Sequence, residues 1–303
     1  MNYKTLISNL SGRFLENEPL KKYTHYEIGG NVDLFAFPKT VEECATLIKN
    51  CKVQEIPYFI FGKGSNLLIS DDGFRGVFIS LDDCAGSIEK LSNTLWNVGA
   101  GVILWDLVEE TISNGVGDMS SMSWIPGTVG GALFMNAGAF GTEIEEFVES
   151  VTAITSDGEI ITLSHEECEF NYRKTTQLQD KLIVSAKLNF KQVDKLEMNE
   201  RSEQIIARRK FKQPLEHPSC GSVFKRPPGL YAGTLIEECG LKGFSIGGAK
   251  VSEKHSNFIV NYNNATASDV YNVIRHVQKT VLEKRNVSLE REVKLIGFPD
   301  VII

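Results

Sequence analysis

GKGSN, residues 62–66, decides the fold because it is one half of a dinucleotide fingerprint without the other. It follows the apolar run IPYFIFG and precedes LLIS, so it is a glycine-rich turn at the end of a strand, where α/β sheets commonly hold ligands. The third glycine that would open a helix is missing, and no acidic residue follows where a β-α-β unit needs one, which excludes a Rossmann site. No Gly-Lys-Ser/Thr triplet follows at Walker A spacing. What remains is a nest of backbone N–H groups freed by glycine, with the Ser65 and Asn66 side chains beside it, able to hold a pyrophosphate. A sharp turn with no ligand explains the pentapeptide alone equally well.

Outward from that turn, VEECATLIKNC (41–51) carries Val41, Cys44, Ala45 and Ile48 at helical spacing. VILWDLVEETISNG (102–115) repeats the pattern with Leu104, Leu107, Val108 and Ile112, and Gly115 stands where a helix C-cap belongs. A second glycine-rich run, IPGTVGGALFMNAGAFG (125–141), has five glycines in seventeen residues, too many for a helix throughout, so something approaches its backbone closely. VTAITSDGEIITL reads as two strands about Asp157-Gly158, and KLIVSAKLNF alternates Leu182, Val184, Ala186, Leu188 and Phe190. The polar stretch KQVDKLEMNERSEQ continues as a helix to about Lys210, and a boundary falls near Pro214 and Pro218. The last third holds a short helix around Leu235, Ile236 and Cys239, a longer one through Val270, Val273, Ile274, Val277 and Val281, and a final strand in EVKLIG.

At 303 residues, with 42% hydrophobic and 23% charged side chains, the chain has room for two or three domains with a sizeable core. A net charge of -7 argues against a broad nucleic-acid surface but leaves room for a local cation cluster on an anionic ligand. Apolar runs stop far short of the roughly 20 residues that cross a bilayer. The N-terminal stretch lacks a sustained apolar segment and a small-residue cleavage site, so a cytoplasmic location is expected. The six cysteines include no C-x-x-C pair and read as reduced thiols. His165 near Cys168 and His217 near Cys220 complete no four-ligand set, so no metal is expected.

HPSCGSVFKRPPG (217–229) admits three readings: Cys220 as nucleophile, Ser222 as a proton carrier, or a phosphate-binding turn without chemistry. The whole pattern settles the choice. GKGSNLLISDDGF, IPGTVGGALFMNAGAFG, FNYRKT, CGSVFKRP and LEREVKLIG stand in the order and approximate spacing of the UDP-N-acetylenolpyruvoylglucosamine reductase family, which the chain resembles over nearly its whole length. The resemblance implies an α+β protein: a vanillyl-alcohol-oxidase-like (PCMH-type) FAD-binding fold of two α/β subdomains, 1–80 and 81–195, plus a C-terminal α+β substrate-binding domain, 196–303. In that fold backbone amides rather than a Rossmann helix hold the pyrophosphate.

The same resemblance implies FAD as cofactor and NADPH as co-substrate in reduction of the enolpyruvyl group of UDP-N-acetylglucosamine enolpyruvate, with no protein partner. Gly62, Gly64, Ser65, Asn66 and Leu67 are then expected along the diphosphate. Ile125, Pro126, Gly127, Thr128, Gly131 and Ala132 are expected beside the flavin and its ribityl chain. Arg173 matches the cation on the substrate carboxylate, Tyr172 a substrate contact, Ser222 the proton donor and Glu292 the glutamate near the reacting carboxyl. Glu290, two residues before Glu292 and on the same side if both lie in a strand, is expected to be solvated. Arg209, Lys212 and Arg226 are the expected cations for the UDP diphosphate. HYEIGG puts Glu27 where the family commonly has a basic residue, and LNFKQVDKLEMNERS lacks the tyrosine-bearing loop of the longer subgroup. The rival readings are a flavin oxidase of the same fold acting on an alcohol or sugar, and a nucleotide-binding module without catalysis.

Overall fold

Gly158 takes φ +80° in the turn between Val148–Ile154 and Ile160–Ser164, and the left-handed residue closes the hairpin expected at Asp157-Gly158. The computed structural model, which describes residues 3–298, extends that hairpin into a five-stranded antiparallel sheet. Its order is Ile160–Ser164, Val148–Ile154, Leu182–Asn189, Leu95–Gly99 and Ile88–Lys90. Leu182, Val184, Ala186, Leu188 and Phe190 are all buried while Lys187 and Asn189 are exposed, the alternation that period-2 patterning demands. Trp96, opposite Leu188 in the register, is fully buried and meets Phe190 edge-on at 5.1 Å between ring centroids.

A second sheet in the same unit is built on Tyr58–Phe61, which runs parallel to the Val77–Ser80 portion of its neighbour. The helix Val41–Val53 precedes Tyr58–Phe61 and is capped by Thr40, whose hydroxyl accepts from Glu43 N at 3.2 Å. The helix turns Cys44, Leu47, Ile48 and Cys51 inward. The helix Leu104–Asn114 ends on Gly115 at φ +64°, the expected C-cap.

By packing, the chain forms two units, neither continuous in sequence. The first is Met1–Glu16, Leu34–Gly62 and Gly76–Ala207, and the second is Asn17–Asp33, Lys63–Arg75 and Arg208–Ile303. The contiguous spans 1–80, 81–195 and 196–303 follow chain order, whereas packing draws the GKGSN turn apart after Gly62. The reason lies in the second unit, where Leu67–Ile69 pairs in parallel with Lys294–Ile296.

The rest of the second unit is a three-stranded antiparallel sheet, Ser245–Ile246, Ala249–Val251 and Ile259–Asn261, packed against the helix Ala267–Arg285. Val270, Val273, Ile274, Val277 and Val281 form the helix's buried stripe. Its start is held twice: Thr266 and Asp269 make a capping box, and the Asp71 carboxylate accepts from the amides of Ala267 at 2.8 Å and Ser268 at 3.1 Å. No helix among the described residues is long and apolar enough to cross a membrane. Thr266→Ala is expected to cost about 1 kcal/mol of stability, read as a lower midpoint in urea unfolding with an unchanged slope.

Candidate active site

In the second unit the segments carrying Asn66, Ser222 and Glu292 meet. Gly221 stands at φ +73°, a left-handed position natural to glycine, and open space surrounds the place a Cβ would occupy. Ser222, half-buried, pairs with Phe258 as an isolated bridge. The next residues are clamped from both sides. Val223 N donates to Asn257 O at 2.8 Å, and the buried Asn257 amide grips Phe224, accepting from its N at 3.1 Å and donating to its O at 2.9 Å. On the other side Glu292 N donates to Val223 O at 2.8 Å.

Asn66 Nδ2 donates to Glu292 O at 3.1 Å, and Lys294 N donates to Asn66 O at 3.0 Å, so the last residue of GKGSN anchors the segment that carries the glutamate. Glu292 is half-buried. Glu290 is exposed, as expected, and pairs with Lys225 at 2.6 Å. The expectation that both lie in one strand is corrected: the strand is Lys294–Ile296, and Glu292 lies two residues before it, next to the isolated bridge between Arg291 and Phe224.

Cys220 points inward, its thiol donating to Leu67 O at 3.1 Å with Gly64 O at 3.7 Å. Burial pushes the thiol well above its ordinary value, so it stays protonated and is no nucleophile. It instead ties the CGSVF segment to the turn holding Gly64 and Leu67. Tyr26 is fully buried, and its hydroxyl has no partner among the described residues. Glu27, at φ 56°, is exposed.

In the first unit the two glycine-rich runs touch: a Cβ added to Gly62 would stand 3.0 Å from Thr128 Oγ1. Thr128 caps the helix Val129–Met135, its hydroxyl accepting from Gly131 N at 3.2 Å, so only seven residues of the glycine-rich run are helical. Gly130 packs tightly, since its Cβ would lie 2.9 Å from that of Ala100, whereas Gly131 is exposed and would meet nothing nearer than Thr128 Oγ1 at 3.6 Å. Gly127 takes φ +123°. Trp124, just before Ile125 and Pro126, is held at φ 63° although 38% exposed, and the buried Ser121 hydroxyl has no partner among the described residues. A strained, open, glycine-lined backbone with an unsatisfied hydroxyl nearby suits a large polar cofactor.

Arg173, at φ 56°, lies in the turn between Phe170–Asn171 and Lys174–Thr175. Its guanidinium donates to Gly138 O at 2.9 Å and Asn136 O at 3.4 Å, with Glu143 Oε1 at 3.8 Å. Asn136, the left-handed C-cap of Val129–Met135, also donates to Glu143 at 2.9 Å and Glu145 at 3.1 Å. Burial and the neighbouring Glu145 carboxylate push Glu143 above the usual carboxylate range, against the pull of Arg173. FNYRKT and MNAGAFG are thus one local structure, and the guanidinium is fixed by backbone carbonyls. Tyr172 is 48% exposed with its ring centroid 5.0 Å from the guanidinium carbon.

The expected phosphate cations lie in the second unit. Arg209 and Lys212 share the last turn of Lys195–Lys212; Arg209 is half-buried and Lys212 exposed. Arg226 is exposed over the Tyr231 ring at 4.5 Å. Sequence reading did not single out Asn257, Asn136 or Glu143. An asparagine that satisfies a backbone 33 positions away leaves no periodic signal.

A model of the FAD binding domain matches residues 32–164. A solved glucooligosaccharide oxidase from Acremonium strictum superposes with a TM-score of 0.50 at 10% identity over 96% of this chain and 60% of that one, a likeness of fold alone. The protein is therefore a flavoprotein of the vanillyl-alcohol-oxidase-like (PCMH-type) α+β class. A model of the UDP-N-acetylenolpyruvoylglucosamine reductase C-terminal domain matches residues 213–296. The UDP-N-acetylenolpyruvoylglucosamine reductase of Listeria innocua is 46% identical over 297 residues, 96% of this chain and 99% of that protein. The crystal structure of the Thermus caldophilus enzyme has a TM-score of 0.80 at 34% identity, covering 95% of this chain and all of that one. The chain belongs to the UDP-N-acetylenolpyruvoylglucosamine reductase family.

Asn257→Ala strands the Phe224 N–H and C=O in a buried place, and a loss of about 2–4 kcal/mol is expected in denaturant unfolding. Cys220 should resist iodoacetamide in the native protein from pH 6 to pH 9 and react only after unfolding, as followed by mass spectrometry.

Proposed function

We propose that this chain catalyses the NADPH-dependent, FAD-mediated reduction of the enolpyruvyl group of UDP-N-acetylglucosamine enolpyruvate to a lactyl ether, yielding UDP-N-acetylmuramate for peptidoglycan precursor synthesis in the cytoplasm. Beyond family membership, the observation that carries this reading is the clamped segment Ser222–Phe224 lying against Glu292, which presents a hydroxyl and a carboxylate from adjoining backbone. The rival oxidase gains no comparable support.

Gly62, Gly64, Ser65, Asn66 and Leu67, with Ile125, Pro126, Gly127, Thr128, Gly131 and Ala132, would hold FAD, the first group along its diphosphate. When bound, FAD supplies the hydride drawn from NADPH. The chain's own residues have two tasks: to stabilise the negative charge that builds toward the substrate carboxylate, and to deliver a proton to the carbon beside it.

Arg173 takes the first task. A guanidinium is always charged, and two backbone carbonyls orient this one, so little reorganisation is left for the moment of reaction. Ser222 Oγ takes the second. A serine hydroxyl is a weak acid in water, but the carbanion it protonates is a strong base, and the clamp on Val223 and Phe224 fixes where the hydroxyl stands. Glu292 aligns the reacting carboxyl through hydrogen bonding, Tyr172 contacts the substrate, and Arg209, Lys212 and Arg226 bind the UDP diphosphate. A local cation group serves that purpose despite the net charge of -7.

Ser222→Ala should leave reduction of the bound flavin by NADPH at its normal rate while slowing its reoxidation by the enolpyruvyl substrate about 10²–10⁴-fold. Anaerobic stopped-flow at the flavin absorbance separates the two halves. Unchanged turnover in that variant removes the serine from the mechanism.

A further inference from the structure

Two of the cysteines stand outside everything the reaction uses. Cys44, on the inward face of Val41–Val53, and Cys84, in the turn after Phe74–Ser80, hold their sulfurs 3.6 Å apart. That is van der Waals contact, about 1.5 Å longer than a covalent S–S bond. Cys44 is fully buried, whereas Cys84 is only half-buried, so an oxidant from solvent meets Cys84 first. Cys51, Cys168, Cys220 and Cys239 are all buried.

We propose that Cys44 and Cys84 form a redox-active dithiol, a modification site at which a peroxide produces an intramolecular disulfide. Electrostatics favour this order of events. Hydrogen bonding with Cys44 lowers Cys84 from the ordinary thiol value, against burial and the carboxylates of Asp83, Glu43 and Asp82. The same bond and burial push Cys44 up, so Cys84 ionises more readily than Cys44, which is left as the resolving thiol.

The Cys84 sulfur attacks one peroxide oxygen, the O–O bond breaks, and Cys84 becomes a sulfenic acid as water leaves. The Cys44 sulfur then attacks the Cys84 sulfur, the S–O bond breaks, and a second water carries away the oxygen and the Cys44 proton. Two thiols lose two electrons in total and one peroxide gains them. The product ties the helix Val41–Val53 to the turn at Leu81–Ala85, closing a loop that contains Tyr58–Phe61 and Gly62. Nothing in this inference requires the proposed reaction.

The test uses the full chain with its FAD, treated with a modest excess of hydrogen peroxide alongside a free cysteine peptide as internal standard. Thiols are then blocked with N-ethylmaleimide and the digest is read by mass spectrometry. The expected result is a joined peptide pair containing Cys44 and Cys84, lighter by two hydrogens than the reduced pair and separated by dithiothreitol. Cys44→Ser should leave Cys84 as a sulfenic acid that dimedone captures. The proposal is overturned if wild-type Cys84 advances to the sulfinic acid with no joined pair, or if both thiols stay alkylatable after the standard peptide has oxidised.

Discussion

The hydrogen bond from Glu292 N to Val223 O, 2.8 Å long, is the constraint that joins the Glu292 and Ser222 segments of the second unit. It is a backbone bond, so it fixes the glutamate-bearing segment to the serine-bearing segment independently of either side chain. Asn66 and Asn257 flank it, one holding the carbonyl of Glu292 and the other holding both polar groups of Phe224. The buried Asn257 amide satisfies backbone that would otherwise lose about 1–3 kcal/mol per unmet group. Backbone and asparagine contacts thus hold the main chain at Ser222 and Glu292.

The first unit solves a similar problem with backbone strain. Trp124, Asn136, Phe140 and Arg173 all sit at positive φ without being glycine, a conformation that costs roughly 1–3 kcal/mol where nothing compensates. Asn136 shows how compensation works: its side chain reaches Glu143, Glu145 and Asn171 O while its own carbonyl accepts from Arg173. Asn136 and Arg173 thus carry their strain around a guanidinium held by two backbone carbonyls. The Cys220 thiol follows the same logic in the second unit, serving as a buried donor between segments.

Much of this was legible in the sequence, and the limit is physical. Helix Val41–Val53, the hairpin at Gly158, the stripe from Val270 to Val281 and the Gly115 cap announce themselves because periodicity and turn chemistry are local. The glycine runs are equally visible, and their departure from the Rossmann pattern excludes that fold from the sequence alone. The strand starts at Lys294 rather than Glu292, a boundary set beside the Phe224–Arg291 bridge by residues far apart in the chain. The division after Gly62 and the roles of Asn257 and Asn136 were hidden for the same reason, since partners distant along the chain leave no spacing to detect.

The parallel pairing of Leu67–Ile69 with Lys294–Ile296 bears on how the protein is made. During vectorial synthesis the early strand emerges long before its mate exists, and a contact of such long range closes slowly. Until residue 296 has left the ribosome, the turn that begins at Gly62 lacks the edge it leans on. A nascent chain stalled before Lys294 would therefore carry most of the mass of this protein without the strand that pairs with Leu67–Ile69.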